Sequence, residues 1–117
     1  MYDVDELLAE EIRPESVPAY YRQSLLGYLA VHDRRGAMHF ALDGSNFGAQ
    51  ADLVRDSLEE VGARRALELA SGTGFNAALL GAALPEIDFL GVDLMPAHVR
   101  LSRARTRRLP NVSFRVL

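Results

Sequence analysis

The stretch Ala66-Leu67-Glu68-Leu69-Ala70-Ser71-Gly72-Thr73-Gly74-Phe75-Asn76 decides how the rest of the chain reads. Residues 65–70 are short and mostly apolar, which suits a buried strand. Ser71 to Gly74 is a tight loop, and Phe75 to Leu84 is an alanine- and leucine-rich helix that ends before Pro85. Glycine at such a strand-to-helix turn does two jobs. It allows the sharp bend, and it lets a ligand lie against the backbone with no Cβ in the way. The helix that follows turns its positive dipole end toward whatever the loop holds, a spot that suits a carboxylate or phosphate.

Downstream the same alternation continues. Ile87 to Val92 reads as a second strand closed by Asp93; Pro96 opens a helix over 96–108 that Pro110 terminates; Asn111 to Leu117 begins a third strand. Strands separated by helices of this length predict a parallel sheet with right-handed crossovers. Asp93 stands at the carboxyl end of the second strand, 19 positions after Gly74, where a carboxylate can accept two hydrogen bonds from a ribose diol. Leu94 and Met95 follow as apolar, polarizable neighbours fit to flank an adenine ring. Together the two elements describe a site for an adenosine whose other end carries an anionic group.

Glu68-Leu69-Ala70-Ser71-Gly72-Thr73-Gly74 resembles motif I of class I S-adenosylmethionine-dependent methyltransferases, where an acidic residue in the first strand precedes a G-x-G-x-G loop. Gly91-Val92-Asp93-Leu94 resembles the family's second motif. The resemblance covers residues 62–117 and departs from the pattern at one position, Ala70, where the family's first glycine falls. It implies S-adenosyl-L-methionine as cofactor and methyl transfer as activity. Glu68 would support the methionine amino end, directly or through water; Gly72, Thr73 and Gly74 would line methionine and ribose; Asp93 would hold the ribose; Leu94 and Met95 would contact the adenine. Ala70, Ser71 and Asn76 belong to the same cofactor set, and His98, one helical turn beyond Asp93, is placed at the adenine edge. No residue of the chain declares itself as a general base, so no catalytic residue is named.

Other readings compete for these residues: an NAD(P)-binding Rossmann domain, and a non-catalytic cofactor- or partner-binding module. Gly72-Thr73-Gly74-Phe75-Asn76-Ala77 also fits the G-x-G-x-x-A variant of the NAD(P) fingerprint, and Asp93 is spaced for it. Against this stands Glu68, an acid inside an apolar strand, which costs free energy unless a ligand or hydrogen bonds use it. Arg100, Arg103, Arg105, Arg107 and Arg108 crowd one helix, and Arg115 follows in the next strand. A nucleic-acid surface is one reading, but a solvated helix face is favoured, with Val99, Leu101, Ala104 and Leu109 on the buried side. His32, His39 and His98 have no partners at ligand spacing, so no metal site is expected.

Upstream, residues 1–13 are acidic and partly apolar. A first firm helix is expected over 16–32, capped by Ser16, with Val17, Tyr21, Leu25 and Leu29 recurring along it. Met38, Phe40 and Leu42 alternate, and Asp43-Gly44-Ser45-Asn46 supplies a turn. A helix over 47–61 follows, with Leu53, Val54, Leu58 and Val61 on its apolar side and Gly62 as its stop. The domain reading is therefore a helical lid or cap over 1–61, with Phe47 and Gln50 toward the cofactor, and a Rossmann-like α/β portion over 62–117.

Composition narrows the chemistry. All 13 basic residues are arginine, which removes a P-loop lysine and Schiff-base chemistry, and zero cysteine removes thiol nucleophiles and thiolate metal sites. A net charge of −3 gives no general argument for nucleic acid. The methyl acceptor stays unidentified, with a small molecule favoured over nucleic acid. With no apolar run of bilayer length and an acidic, unsignal-like N-terminus, a cytoplasmic setting and no membrane partner are expected.

The chain has 117 residues, and a whole doubly wound domain needs roughly half as many again. In the family's sheet order, 3-2-1-4-5, the first strand is central. With three strands in the order 3-2-1 it becomes an edge with exposed apolar side chains. Residues 1–117 are therefore expected to be a fragment, or to need another chain or an oligomer to cover that edge.

Overall fold

The computed structural model describes residues 16–31 and 48–117. The acidic segment 1–13, the alternation at Met38, Phe40 and Leu42, the turn Asp43-Gly44-Ser45-Asn46, and His32, His39 and Phe47 lie outside the described residues, as do the side chains of Ser16 and Leu29. The elements run α1 (Ser16–Val31), α2 (Ala49–Glu60), β1 (Arg65–Leu69), α3 (Phe75–Ala83), β2 (Asp88–Asp93), α4 (Pro96–Arg105) and β3 (Val112–Val116).

The three strands are parallel, β1 with β2 and β2 with β3, in the order β1-β2-β3. The order expected from the sequence is 3-2-1, and the order found is 1-2-3. The order found starts from the other edge, and what it fixes is adjacency: β2 is hydrogen-bonded on both sides, and β1 pairs with β2 alone among the described residues. Both crossovers step the same way across the sheet, so right-handed connections put α3 and α4 on one face. Each packs on β2 and β3, and α2 packs on α3.

The covered face carries Ala66, Phe89, Val112 and Phe114, and two small cores form on it. One joins Ala51, Leu80, Leu84, Ile87 and Phe89; the other joins Ala77, Val99 and Phe114. Full burial of each phenylalanine contributes roughly 2–3 kcal/mol. The opposite face holds Arg65, Leu67, Asp88, Leu90, Ser113 and Arg115, which line a broad open depression. On β1 of that face, Leu67 is 60% and Leu69 70% exposed.

Two expectations about the helices need correction. In α2 the buried residue is Ala51, while Leu53, Val54 and Val61 are exposed and Leu58 is half-buried. The helix docks through the narrow stripe that carries Ala51 and Leu58, about two turns apart, not through the broader apolar side. In α4 the buried side is His98, Val99, Ser102 and the following Thr106, with Met95 just before the helix; Ala104 is exposed and Leu101 and Leu109 are half-buried. Ser102, whose hydroxyl reaches Gly72 O, fits against the glycine loop where a leucine would not.

The stops behave as the punctuation predicts. Gly62 takes φ +63°, and Ala63 N–H donates to Leu58 O at 2.9 Å to close α2. Asn111 was not singled out by sequence, yet its amide nitrogen lies 3.0, 3.2 and 3.1 Å from the carbonyls of Gly81, Leu84 and Ile87. It ties the end of α3 to the start of β3. Among the described residues no helix is long and apolar enough to cross a membrane.

Candidate functional site

The carboxyl ends of β1 and β2 meet the loop over residues 70–74. Three of its positions are left-handed: Ala70 at φ +53°, Gly72 at +55° and Gly74 at +71°. Gly74 has to be glycine for a second reason. A Cβ there would stand 2.8 Å from Ser102 Cβ and 2.9 Å from Phe114 Cζ, so α4 and β3 can approach the loop only because it is bare. Gly91 in β2 plays the same part below the loop, where a Cβ would come 2.5 Å from Phe114 and 3.0 Å from Ser71 Cβ. The loop is pinned to β2 by Ser71 N–H donating to Val92 O at 2.9 Å. Ser71 and Thr73 are buried, so the loop presents backbone rather than side chains outward.

Asp93 is the hub of this end of the sheet. Gly72 N–H donates to its Oδ2 at 2.8 Å and Met95 N–H to its Oδ1 at 2.8 Å, while His98 Nδ1 lies 3.1 Å from Oδ1. Ser102 Oγ, 3.1 Å from Gly72 O and 2.9 Å from His98 O, shares its proton between them and fastens the loop to α4. A carboxylate has about four acceptor positions. Three are used by the protein's own N–H groups, and the one left is on Oδ2. The expected pair of hydrogen bonds to a diol thus meets a carboxylate with a single open position.

Glu68 is set differently. It lies on the covered face of β1 under α2 and α3, beside Asn76, whose Nδ2 donates to Gln50 Oε1 at 3.0 Å. Its Oε2 is buried with no hydrogen-bond partner. Burial pushes the Glu68 carboxyl up to about 7, and the Asn76 amide offsets this only in part. The carboxyl opens on a cavity of about 440 Å³ lined by Gln50, Val54, Leu58, Leu67, Leu69 and Asn76. That cavity does not reach Asp93.

Sequence-expected residues therefore fall into two groups joined by the glycine loop: Glu68 with Asn76 and Gln50, and Asp93 with Gly72, Met95 and His98. Leu94 is exposed beside Asp93, as an aromatic-ring contact requires. Met95 is not: its side chain is 5% exposed and belongs to the interior, because its N–H is bound to Asp93 and turns the residue inward. His98, expected at an adenine edge, is 2% exposed and sits behind Asp93, where Tyr21 of α1 packs edge-to-face on its ring at 5.5 Å. Ser102 was missed; the signal was the polar stripe His98, Ser102, Thr106 at four-residue spacing. Nor is the arginine row uniformly solvated. Arg103 donates to Phe114 O at 2.8 Å, and Arg105 lies over the Phe75 ring, its pKa lowered by burial.

Neither a family model nor a curated protein sequence matches the chain. Solved structures do match it. The methyltransferase domain of a bacterial CtHen1 aligns with a TM-score of 0.54 at 22% identity, covering 60% of this chain and 40% of that one. The methyltransferase domain of citrinin polyketide synthase aligns with a TM-score of 0.51 at 20% identity, over 58% and 21%. A geranyl diphosphate methyltransferase in complex with GPP and sinefungin aligns with a TM-score of 0.50 at 28% identity, over 60% and 27%. The chain thus spans less than half the length of each. It resembles class I S-adenosylmethionine-dependent methyltransferase domains, and the fold is a Rossmann-like α/β sheet of the kind they contain.

Proposed function

We propose that this chain is the S-adenosylmethionine-binding portion of a methyltransferase acting on an unidentified acceptor, a small molecule being favoured. The observation that carries the reading is Glu68 Oε2, a buried carboxylate oxygen with no partner at the foot of a glycine loop. Such an oxygen is costly unless a donor arrives. A cationic amino group, the methionine end of this cofactor, is the donor that suits it. When bound, the cofactor supplies a methyl group on a sulfonium centre, ready for in-line displacement.

The chain's own residues bind and orient. Glu68 takes the amino end. The backbone of Gly72, Thr73 and Gly74 lies along the methionine and ribose, with Ala70, Ser71 and Asn76 shaping the turn. The open position on Asp93 Oδ2 accepts a ribose hydroxyl, and Leu94 offers an apolar surface to the adenine. Residues 1–61 are proposed as a helical cap on this portion; the methyltransferase likeness of the solved structures supports the reading of the α/β sheet.

An NAD(P) site would use the same glycines and Asp93, but that cofactor carries no ammonium group to donate to the bare Glu68 oxygen. Titration calorimetry of the chain with S-adenosylhomocysteine and separately with NAD separates the two. Micromolar binding of the first, lost in Asp93→Ala, is expected. Binding of NAD in its place would overturn the proposal.

A further inference from the structure

We infer that His98 is a positioning residue that sets which oxygen of Asp93 meets the ribose; the inference rests on the cofactor reading above. The ring is 2% exposed, so it cannot itself reach a ligand. Its Nδ1 lies 3.1 Å from Asp93 Oδ1 and, facing a carboxylate oxygen, carries the proton. Its Nε2 is buried and has no partner. An apolar side chain of similar size would fill this space without leaving a buried polar atom bare. The orphaned Nε2 is therefore a cost, and the bond from Nδ1 to Asp93 is what offsets it.

That bond completes a division of labour on one carboxylate. Oδ1 receives Met95 N–H and His98 Nδ1–H and is full. Oδ2 receives Gly72 N–H and has one position open. With His98 in place, the open position has one location and one direction. Without it, Oδ1 keeps a single backbone donor and competes with Oδ2 for the incoming hydroxyl, and the carboxylate must be ordered when the ligand binds. Tyr21 packs on the ring edge-to-face, at an interplanar angle of 81°, and holds it from behind. The first described helix thereby supports the ribose end of the site through His98.

The test compares S-adenosylhomocysteine with its analogue lacking both ribose hydroxyls, titrated into the unaltered chain and into His98→Leu, His98→Asn and His98→Gln. Asparagine places an amide N–H near the Nδ1 position; glutamine places its amide near Nε2, where Asp93 is out of reach. His98→Leu and His98→Gln are expected to weaken S-adenosylhomocysteine about tenfold and to leave the hydroxyl-free analogue within about threefold, so discrimination between the ligands collapses. His98→Asn is expected to recover both affinity and discrimination to within about threefold of the unaltered chain. The Asn and Gln variants carry the comparison if the leucine variant fails to fold. Unchanged discrimination in His98→Gln, or an equal loss in the Asn and Gln variants, overturns the role of His98 while leaving the cofactor reading intact. Failure of the unaltered chain to bind S-adenosylhomocysteine overturns both.

Discussion

Two carboxylates stand near the carboxyl ends of neighbouring strands, Glu68 on β1 and Asp93 on β2, and the protein fills all but one acceptor position of Asp93 and leaves an oxygen of Glu68 bare. Asp93 is held by two backbone N–H groups and a histidine. Glu68 Oε2 has none of these, and its carboxyl is pushed up to about 7 by burial. The difference follows from what each strand end faces. The turn after β2 folds back so that Met95 N–H and α4 point at Asp93. The loop after β1 leaves Glu68 pointing under α3, toward amides and apolar side chains. Asp93 is preorganised by the fold, whereas Glu68 keeps an unmet demand that a ligand can satisfy.

The largest expected effect comes from breaking the completed end. Asp93→Ala strands two buried donors and a half-buried one and frees the loop, and should lower stability by about 3 kcal/mol in urea denaturation while abolishing cofactor binding. If stability is unchanged, Asp93 is not the hub described here.

The incomplete end should respond with the opposite sign. A carboxyl with a raised folded pKa binds its proton more tightly folded than unfolded. Glu68 therefore costs the fold nothing below about pH 4.5 and progressively more as pH rises toward about 7. Glu68→Gln, which stays neutral, should match the unaltered chain at low pH and exceed it by roughly 2–3 kcal/mol at pH 8, while binding S-adenosylhomocysteine more weakly. Equal urea midpoints at both pH values would remove the buried-charge account.

A smaller effect sits between the two ends. Ala70 holds a left-handed φ of +53° where glycine would be unstrained. Ala70→Gly should raise the thermal midpoint, equivalent to about 0.5–1 kcal/mol, after the entropy of the freer unfolded chain is subtracted. A fall would mean the alanine methyl makes a contact worth more than its strain. Smallest of all is Leu94→Ala beside the completed end: less than about 0.5 kcal/mol in stability, and about a threefold loss in S-adenosylhomocysteine affinity.

Much of this was legible in the sequence, because punctuation residues carry it. Gly62, Pro85, Pro96 and Pro110 bound the elements to within a few residues, and the glycines of the loop, with Glu68 and Asp93, marked the two strand ends. What sequence did not show lies in which side of a helix turns inward. An apolar count over 96–109 selects Val99, Leu101, Ala104 and Leu109; Val99 is buried, but the rest of the inward stripe is His98, Ser102 and Thr106, and the Ser102 hydroxyl there reaches the loop carbonyl of Gly72. Periodicity in α2 likewise cannot reveal that Leu53 and Val61 stay exposed, since that depends on where α3 sits. Met95 reads as a ring-flanking residue until its N–H is seen to be captured by Asp93. Asn111 reads only as the start of the third strand until its three carbonyl partners are assembled by tertiary contact.

The most direct test counts protons. S-adenosylhomocysteine is titrated calorimetrically at pH 7, in buffers of different ionisation enthalpy, into the unaltered chain and into Glu68→Gln. A cationic amino group seated on Glu68 must ionise a carboxyl that is half-protonated at this pH, so about half a proton should be released on binding, and none in Glu68→Gln. Affinity for the unaltered chain should rise from pH 6 to pH 8. No binding, or the same proton count in both chains, would contradict the claim that Glu68 awaits the cationic end of the cofactor.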